Sequence, residues 1–137
     1  MSTVIRAARV DDVGAVLALW RHAGAEPSHT DDEESLGRLI AHDEGALMVA
    51  ESDRQIVGTV IAGWDGWRGS VYRLVVTPSR RRAGLGRRLV RAAEHRLSTV
   101  GASRLQVIVV ETDAQATGFW RVSGWEQQAE RLRFVKA

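Results

Sequence analysis
The 137-residue sequence predicts an α+β protein: a mixed, mostly antiparallel sheet of about seven strands with about four flanking helices, in the order β-α-α-β-β-β-α-β-α-β-β. Three observations carry that expectation. Strand-like runs separated by turn residues follow one another between residues 46 and 76, the pattern of consecutive hairpins. Apolar residues recur at helical spacing before that block, at Val13, Val16, Leu17 and Trp20. After it, helical and β-branched segments alternate, as in units that place strands parallel through a helical crossover.

In order along the chain, residues 4–8 read as an opening strand. Asp11 or Asp12 can cap the first helix, and Gly24 can stop it. Residues 25–30 form a loop, and the acids at 31–34 open a second helix that turns Leu36, Leu39 and Ile40 inward. Strands are expected at 46–51 and 55–63 about a turn at 52–54. Asp65-Gly66 is a two-residue hairpin signal leading to the strand 71–76. A helix from Gly84 to about Thr99, a β-branched strand at 104–110 and a helix at 113–122 come next. Strands at 125–128 and 132–135 close the order. No repeat or linker interrupts it, and the length suits one domain, residues 1–137.

Composition is that of a globular protein, 45% hydrophobic and 26% charged. No apolar run approaches a membrane span and no signal peptide is evident, so a cytoplasmic protein without a membrane partner is expected. The absence of cysteine excludes disulfides, thiolate nucleophiles and cysteine-based metal sites. The four histidines show no metal-ligand spacing, so no metal is expected. Charge is unevenly spread: residues 1–65 hold 5 basic and 12 acidic side chains (net −7), and residues 66–137 hold 14 and 5 (net +9). The basic half suits a polyanionic ligand and the acidic half a cationic one, although solvated helix surfaces would produce the same asymmetry.

Arg81-Arg82-Ala83-Gly84-Leu85-Gly86 joins the 71–76 strand to the long amphipathic helix. A turn of this kind offers backbone N–H groups at a helix N-terminus, where the dipole favours phosphate. It lacks the GK[ST] ending of a P-loop and, with Leu89, the third small residue of a dinucleotide fingerprint. The spacing Arg81-x-x-Gly84-x-Gly86 resembles the acyl-CoA-binding motif of the GNAT superfamily of N-acyltransferases. The preceding Leu74-Val75-Val76-Thr77-Pro78 and the later block from Asp113 to Trp125, containing Phe119-Trp120 and Gly124-Trp125, resemble that family's flanking patterns with matching spacing.

That resemblance implies a GNAT-like fold and acetyl-CoA as co-substrate, with strands 71–76 and 104–110 splayed around the pantetheine arm. N–H groups of Arg82, Ala83, Gly84, Leu85, Gly86 and Arg87 would hold the pyrophosphate. Arg81 would brace the turn or touch a phosphate, and Arg87 or Arg88 would reach the 3′-phosphate. Main-chain groups of Leu74, Val75 and Val76 would pair with pantetheine, which requires an interrupted ladder such as a bulge; their side chains are expected in the core. The alternative for arginines 80, 81, 82, 87, 88 and 91 is a solvated face or a nucleic-acid patch. No aromatic interleaving accompanies them, so nucleic acid is not expected as a partner.

Proton handling departs from the family pattern. Trp120 stands where many members carry a tyrosine general acid, and Asp113 at the common asparagine position that often contacts pantetheine, which makes it a cofactor-binding candidate. Trp120 then either lines the thioester pocket or is plain core. Glu111, at the end of strand 104–110, is the first candidate for general base and Asp113 the second, with Tyr72 as an assisting acid or ligand. Their rival roles are a helix-start charge, an N-cap and a core ring. Trp64 and Trp67 beside the hairpin form either an exposed platform or packing over the sheet edge. His29, Asp31 and Asp32 lie in the loop that helps form the acceptor site in this family. The expected activity is direct acetyl transfer to a small-molecule or peptide amine in a ternary complex, by a monomer or homodimer. The rival is an acyl-CoA-binding sensor or interaction module with little catalysis.

Overall fold
Tight turns between apolar runs produce consecutive antiparallel strands. The structure, a computed structural model describing residues 2–110 and 112–136, has this arrangement. β1 (Thr3–Ala7), β2 (Leu47–Ser52), β3 (Gln55–Trp64), β4 (Gly69–Val76) and β5 (Leu105–Val107) form one sheet in that spatial order. The first four pair antiparallel, while β4 and β5 run parallel, joined by the helix α3 (Leu85–Val100) as the crossover. These elements belong to one compact unit, Met1–Val107; a second, Ile108–Ala137, carries the helix α4 (Ala114–Val122).

The β2–β3 turn is the two residues Asp53 and Arg54, both at positive φ (51° and 64°), as the twist of a mirror-image hairpin turn requires. The β3–β4 connection is longer than Asp65-Gly66 suggests. Trp64 pairs with Gly69, leaving residues 65–68 in the loop. There Asp65 Oδ1 accepts the N–H groups of Trp67 (2.8 Å) and Arg68 (2.6 Å), which holds its carboxyl below the usual range. Trp67 is 64% exposed, with the Arg68 guanidinium over its ring at 4.1 Å, so it projects from the hairpin rather than packing on the sheet edge.

Helices cover both faces of the sheet. α1 (Val13–His22) and α2 (Glu33–His42) bury Val16, Leu17, Trp20, Leu36 and Ile40 against Leu47, Val49 and Ile61. α3 lies on the other face, where Leu89 comes so close to Gly58 that a Cβ there would stand 2.9 Å from its methyl group. Asp32 caps α2 by accepting Ser35 N–H (2.7 Å), as the acids at 31–34 suggested. Asp12 does not cap α1 with its side chain. It spends both oxygens on the Arg6 guanidinium (2.8 and 3.0 Å), and one of them also accepts Arg9 N–H (2.7 Å).

Two expected strands are absent among the described residues, so the sheet has five strands rather than about seven. Segments 125–128 and 132–135 join no ladder, and Leu132, Phe134 and Val135 are 83, 89 and 75% exposed. Alternating apolar residues make a strand only where a neighbour offers matching backbone groups. For the same reason the expected strand 104–110 pairs only at Leu105–Val107.

Candidate functional site
The most irregular part of the sheet is the second half of β4. Its parallel pairing runs through Gly69↔Leu105, Ser70↔Gln106 and Val71↔Val107 and goes no further among the described residues. The edge of β4 over residues 72–76, roughly 15 Å of extended chain, therefore has no ladder to β5. On its other side the register with β3 slips: Thr59 pairs with Val75 but Ile61 with Tyr72, which inserts one extra residue into β4. Arg73 lies in this bulge at φ 51°, a left-handed conformation that costs a non-glycine residue about 1–2 kcal/mol.

A buried polar relay fixes the bulge. The Trp20 indole N–H donates to Thr59 Oγ1 (2.9 Å), and that hydroxyl donates to the Arg73 carbonyl (2.9 Å). Thr59 is completely buried. The Arg73 guanidinium folds back over the Trp20 ring at 4.9 Å and donates to Asp31 Oδ2 (2.5 Å) and to the Glu26 carbonyl (3.0 Å). Thus α1, the α1–α2 connection, β3 and β4 are tied at one point. Neither Thr59 nor Arg73 stood out as a site residue in the sequence. The available signal was a lone threonine and a lone arginine, each inside an apolar strand.

β4 leads through a short 3-10 turn (Pro78–Arg80) and a turn at 81–84 into α3. Gly84, the N-cap residue, has φ 84° and no side chain with which to cap the helix. A Cβ there would meet nothing within 4 Å, so the glycine answers a conformational need and the space before it is open. The first-turn N–H groups of an α-helix have no intrahelical acceptor, and the N-cap residue Gly84 offers them no side chain. Arg82 precedes this cap at φ 65°, and Arg82, Ala83 and Gly84 are exposed. Leu85 buries its side chain in the core, while Gly86 is half-buried.

Several arginines of the turn brace it. Arg81 donates from Nε to the Val76 carbonyl (3.3 Å) and from Nη2 to the Ala23 carbonyl (3.1 Å), tying the end of β4 to the end of α1. Arg80 reaches the buried Ser52 hydroxyl (3.1 Å) and Arg88 the Thr3 carbonyl (2.9 Å). Arg87 is exposed on the first turn of α3. Leu74, Val75 and Val76 are half-buried rather than core; of the three, Val75 packs against the α1–α2 core.

Among the acid–base candidates, Tyr72 is not a core ring. It is 53% exposed, on the sheet face it shares with its register partner Ile61. Asp113 caps α4, its Oδ1 accepting Ala116 N–H (3.0 Å). Glu111 lies outside the described residues. Trp120 is buried, edge-on to Phe119 (5.4 Å) and Trp125 (4.9 Å) within the second unit. Around the α1–α2 connection, Asp31 also accepts Ser28 N–H (3.0 Å), and the Ser35 N–H holds the Asp32 carboxyl below its ordinary range. His29 is exposed. Among the described residues no cluster of three or more His, Asp or Glu could hold a metal ion, and no helix is long and apolar enough to cross a membrane.

A bulged strand edge that runs into a helix N-terminus is the arrangement that the resemblance to acyl-CoA-dependent acyltransferases implied. The chain belongs to the acetyltransferase (GNAT) family, whose model matches residues 15–125. Its co-substrate is accordingly acetyl-CoA. Among solved structures, Ard1 from Thermoplasma volcanium is similar with a TM-score of 0.83 at 17% identity, covering 94% of this chain and 86% of that one. The PaiA N-acetyltransferase from Thermoplasma acidophilum, solved in complex with coenzyme A, has a TM-score of 0.81 at 16% identity, covering 93% and 92%. The ribosomal-protein-S18-alanine N-acetyltransferase from Escherichia coli has a TM-score of 0.73 at 18% identity, covering 90% and 77%.

Proposed function
We propose that this chain transfers an acetyl group from acetyl-CoA to an amine nitrogen by direct attack in a ternary complex. The observation that carries the reading is the unpaired edge of β4, bulged at Arg73 and leading into the uncapped N-terminus of α3. Main-chain N–H groups of residues 82–87 take the pyrophosphate, favoured there by the helix dipole. Leu74, Val75 and Val76 offer main-chain groups to pantetheine. Arg81 acts as a brace rather than a phosphate ligand, since its guanidinium serves the Val76 and Ala23 carbonyls.

Acetyl-CoA supplies the activated acyl group, and an N–H on the bulged strand meets the charge that develops on the thioester oxygen. A thiol of pKa about 8.5 leaves without a strong acid, which suits a chain with Trp120 at the usual tyrosine position. With no cysteine to form a thiolate acyl-enzyme, the amine attacks the thioester itself. The amine loses its proton to Glu111, directly or through water, with Tyr72 assisting; Asp113 is the weaker candidate because it already caps α4. We take residues 1–137 as one cytoplasmic domain, a monomer or homodimer, acting on a small-molecule or peptide amine. The acidic residues about the α1–α2 connection favour a cationic acceptor.

The test is a screen of amines, polyamines, amino acids and peptide N-termini, read by free thiol release. Turnover with at least one acceptor is expected. Tight acetyl-CoA binding without turnover on any of them would instead favour a CoA-binding sensor, the reading that Trp120 in its aromatic stack and Asp113 as an N-cap support.

A further inference from the structure
Arg73 combines two features that each need a reason. Its backbone is strained at φ 51°, where glycine would fit without cost, and its side chain enters a half-buried ion pair. Selection for backbone comfort alone would place glycine here. The side chain therefore has work that glycine cannot do.

That work is legible in its partners. The Arg73 carbonyl accepts from Thr59, Thr59 accepts from Trp20, and the Trp20 ring lies beneath the Arg73 guanidinium. This is a closed circuit in which backbone and side chain of one residue are held by the same indole. The guanidinium then extends to Asp31 (2.5 Å) and the Glu26 carbonyl (3.0 Å), both on the α1–α2 connection. Asp31 is also bound by Ser28 N–H, so the contact organises residues 26–31 rather than one side chain. A lysine has no planar fork to bond the carboxylate and the carbonyl together.

We infer that Arg73 is a positioning residue that couples the two sides of the reaction. Its main chain shapes the strand edge that receives the thioester arm, and its side chain seats the α1–α2 connection. This rests on the reading of the β4 edge as the acetyl-CoA site. Occupation of that edge adds hydrogen bonds to a bulge the relay already holds, and the further-steadied bulge keeps residues 26–31 in place through the ion pair. The connection is then ordered in the donor complex before an amine arrives.

The decisive variant is Arg73→Gly, which keeps the left-handed backbone and removes only the clamp; Asp31→Asn is the second variant, outside the bulge. Hydrogen exchange of residues 23–32 is measured with and without saturating acetyl-CoA, and acetyl-CoA affinity by calorimetry. In the wild type, acetyl-CoA should slow exchange of this segment by about fivefold or more, the low end of ordinary site-to-site coupling. Asp31→Asn, outside the bulge, should bind acetyl-CoA within about threefold of wild type, and both variants, measured at saturating acetyl-CoA, should lose that slowing, a loss that a purely structural contact would not produce because it would raise exchange equally in both states. Two results would overturn the inference: wild-type protection absent despite binding, or protection that persists in Arg73→Gly. A wild type that does not bind acetyl-CoA at all would instead remove the donor-site reading beneath it.

Discussion

Replacing Thr59 by valine keeps the shape of a completely buried side chain and removes only its hydroxyl. That hydroxyl accepts the Trp20 indole N–H and donates to the Arg73 carbonyl, each at 2.9 Å. Trp20 is itself buried, so the indole N–H would be left without a partner, at about 1–3 kcal/mol. The Arg73 carbonyl, at a half-buried residue, adds about 0.5–1.5 kcal/mol for its lost bond. The sum is a destabilisation of about 1.5–4.5 kcal/mol. Thr59→Ser is the control, because it keeps the hydroxyl and deletes one methyl worth about 1 kcal/mol. Urea unfolding monitored by tryptophan fluorescence measures both, with the loss read from the midpoint at unchanged slope. The hydroxyl account requires valine to be more damaging than serine. The reverse order would show that packing, not the relay, holds the bulge.

Two further outcomes follow from charges. The Asp12 carboxyl is held below its ordinary value first by the Arg6 hydrogen bonds and, against the cost of burial, by Arg9 N–H. Its stabilisation is therefore fully present above the unfolded value of about 3.9 and is lost as pH falls through the lower folded value. Asp12→Asn should cost about 1–3 kcal/mol at pH 6, and the gap to wild type should close in urea melts below about pH 4. A constant gap down to pH 2 would remove the ion pair as its cause. Glu111→Gln should lower the rate about 10²–10⁴-fold and abolish the acidic limb of the pH–rate profile for whichever amine turns over; an unchanged profile would end its candidacy as the base.

The parts of the fold that were legible in the sequence are those set by local pattern. Val13, Val16, Leu17 and Trp20 mark α1, Asp32 caps α2 where acids cluster, and the 81–86 turn sits between β4 and α3. What escaped notice depends on long-range partners. Asp12 had the spacing of a cap, but Arg6 in β1 claims its carboxylate. The hairpin lengthened to residues 65–68 because the ladder closes at Trp64 and Gly69. Residues 132–135 alternate like a strand yet have no ladder. The bulge was needed to free main-chain groups of β4, but its place at Arg73 is set by Trp20 and Thr59, 53 and 14 residues away in sequence. For the site, the spacing of Arg81, Gly84 and Gly86 was readable, whereas the bracing of Arg81 against Ala23 was not.

Calorimetric titration of the wild type and Gly86→Trp with acetyl-CoA tests the donor site most directly. Gly86 lies half-buried in the first turn of α3, beside the open N-cap. In the proposed donor site, an indole there would crowd the approach of the pyrophosphate to the first-turn N–H groups. The wild type should bind acetyl-CoA, and the variant, folded by circular dichroism, should lose at least about a hundredfold in affinity, equivalent to roughly 2.7 kcal/mol. Equal affinity in the two proteins would contradict the assignment of this helix N-terminus to acetyl-CoA.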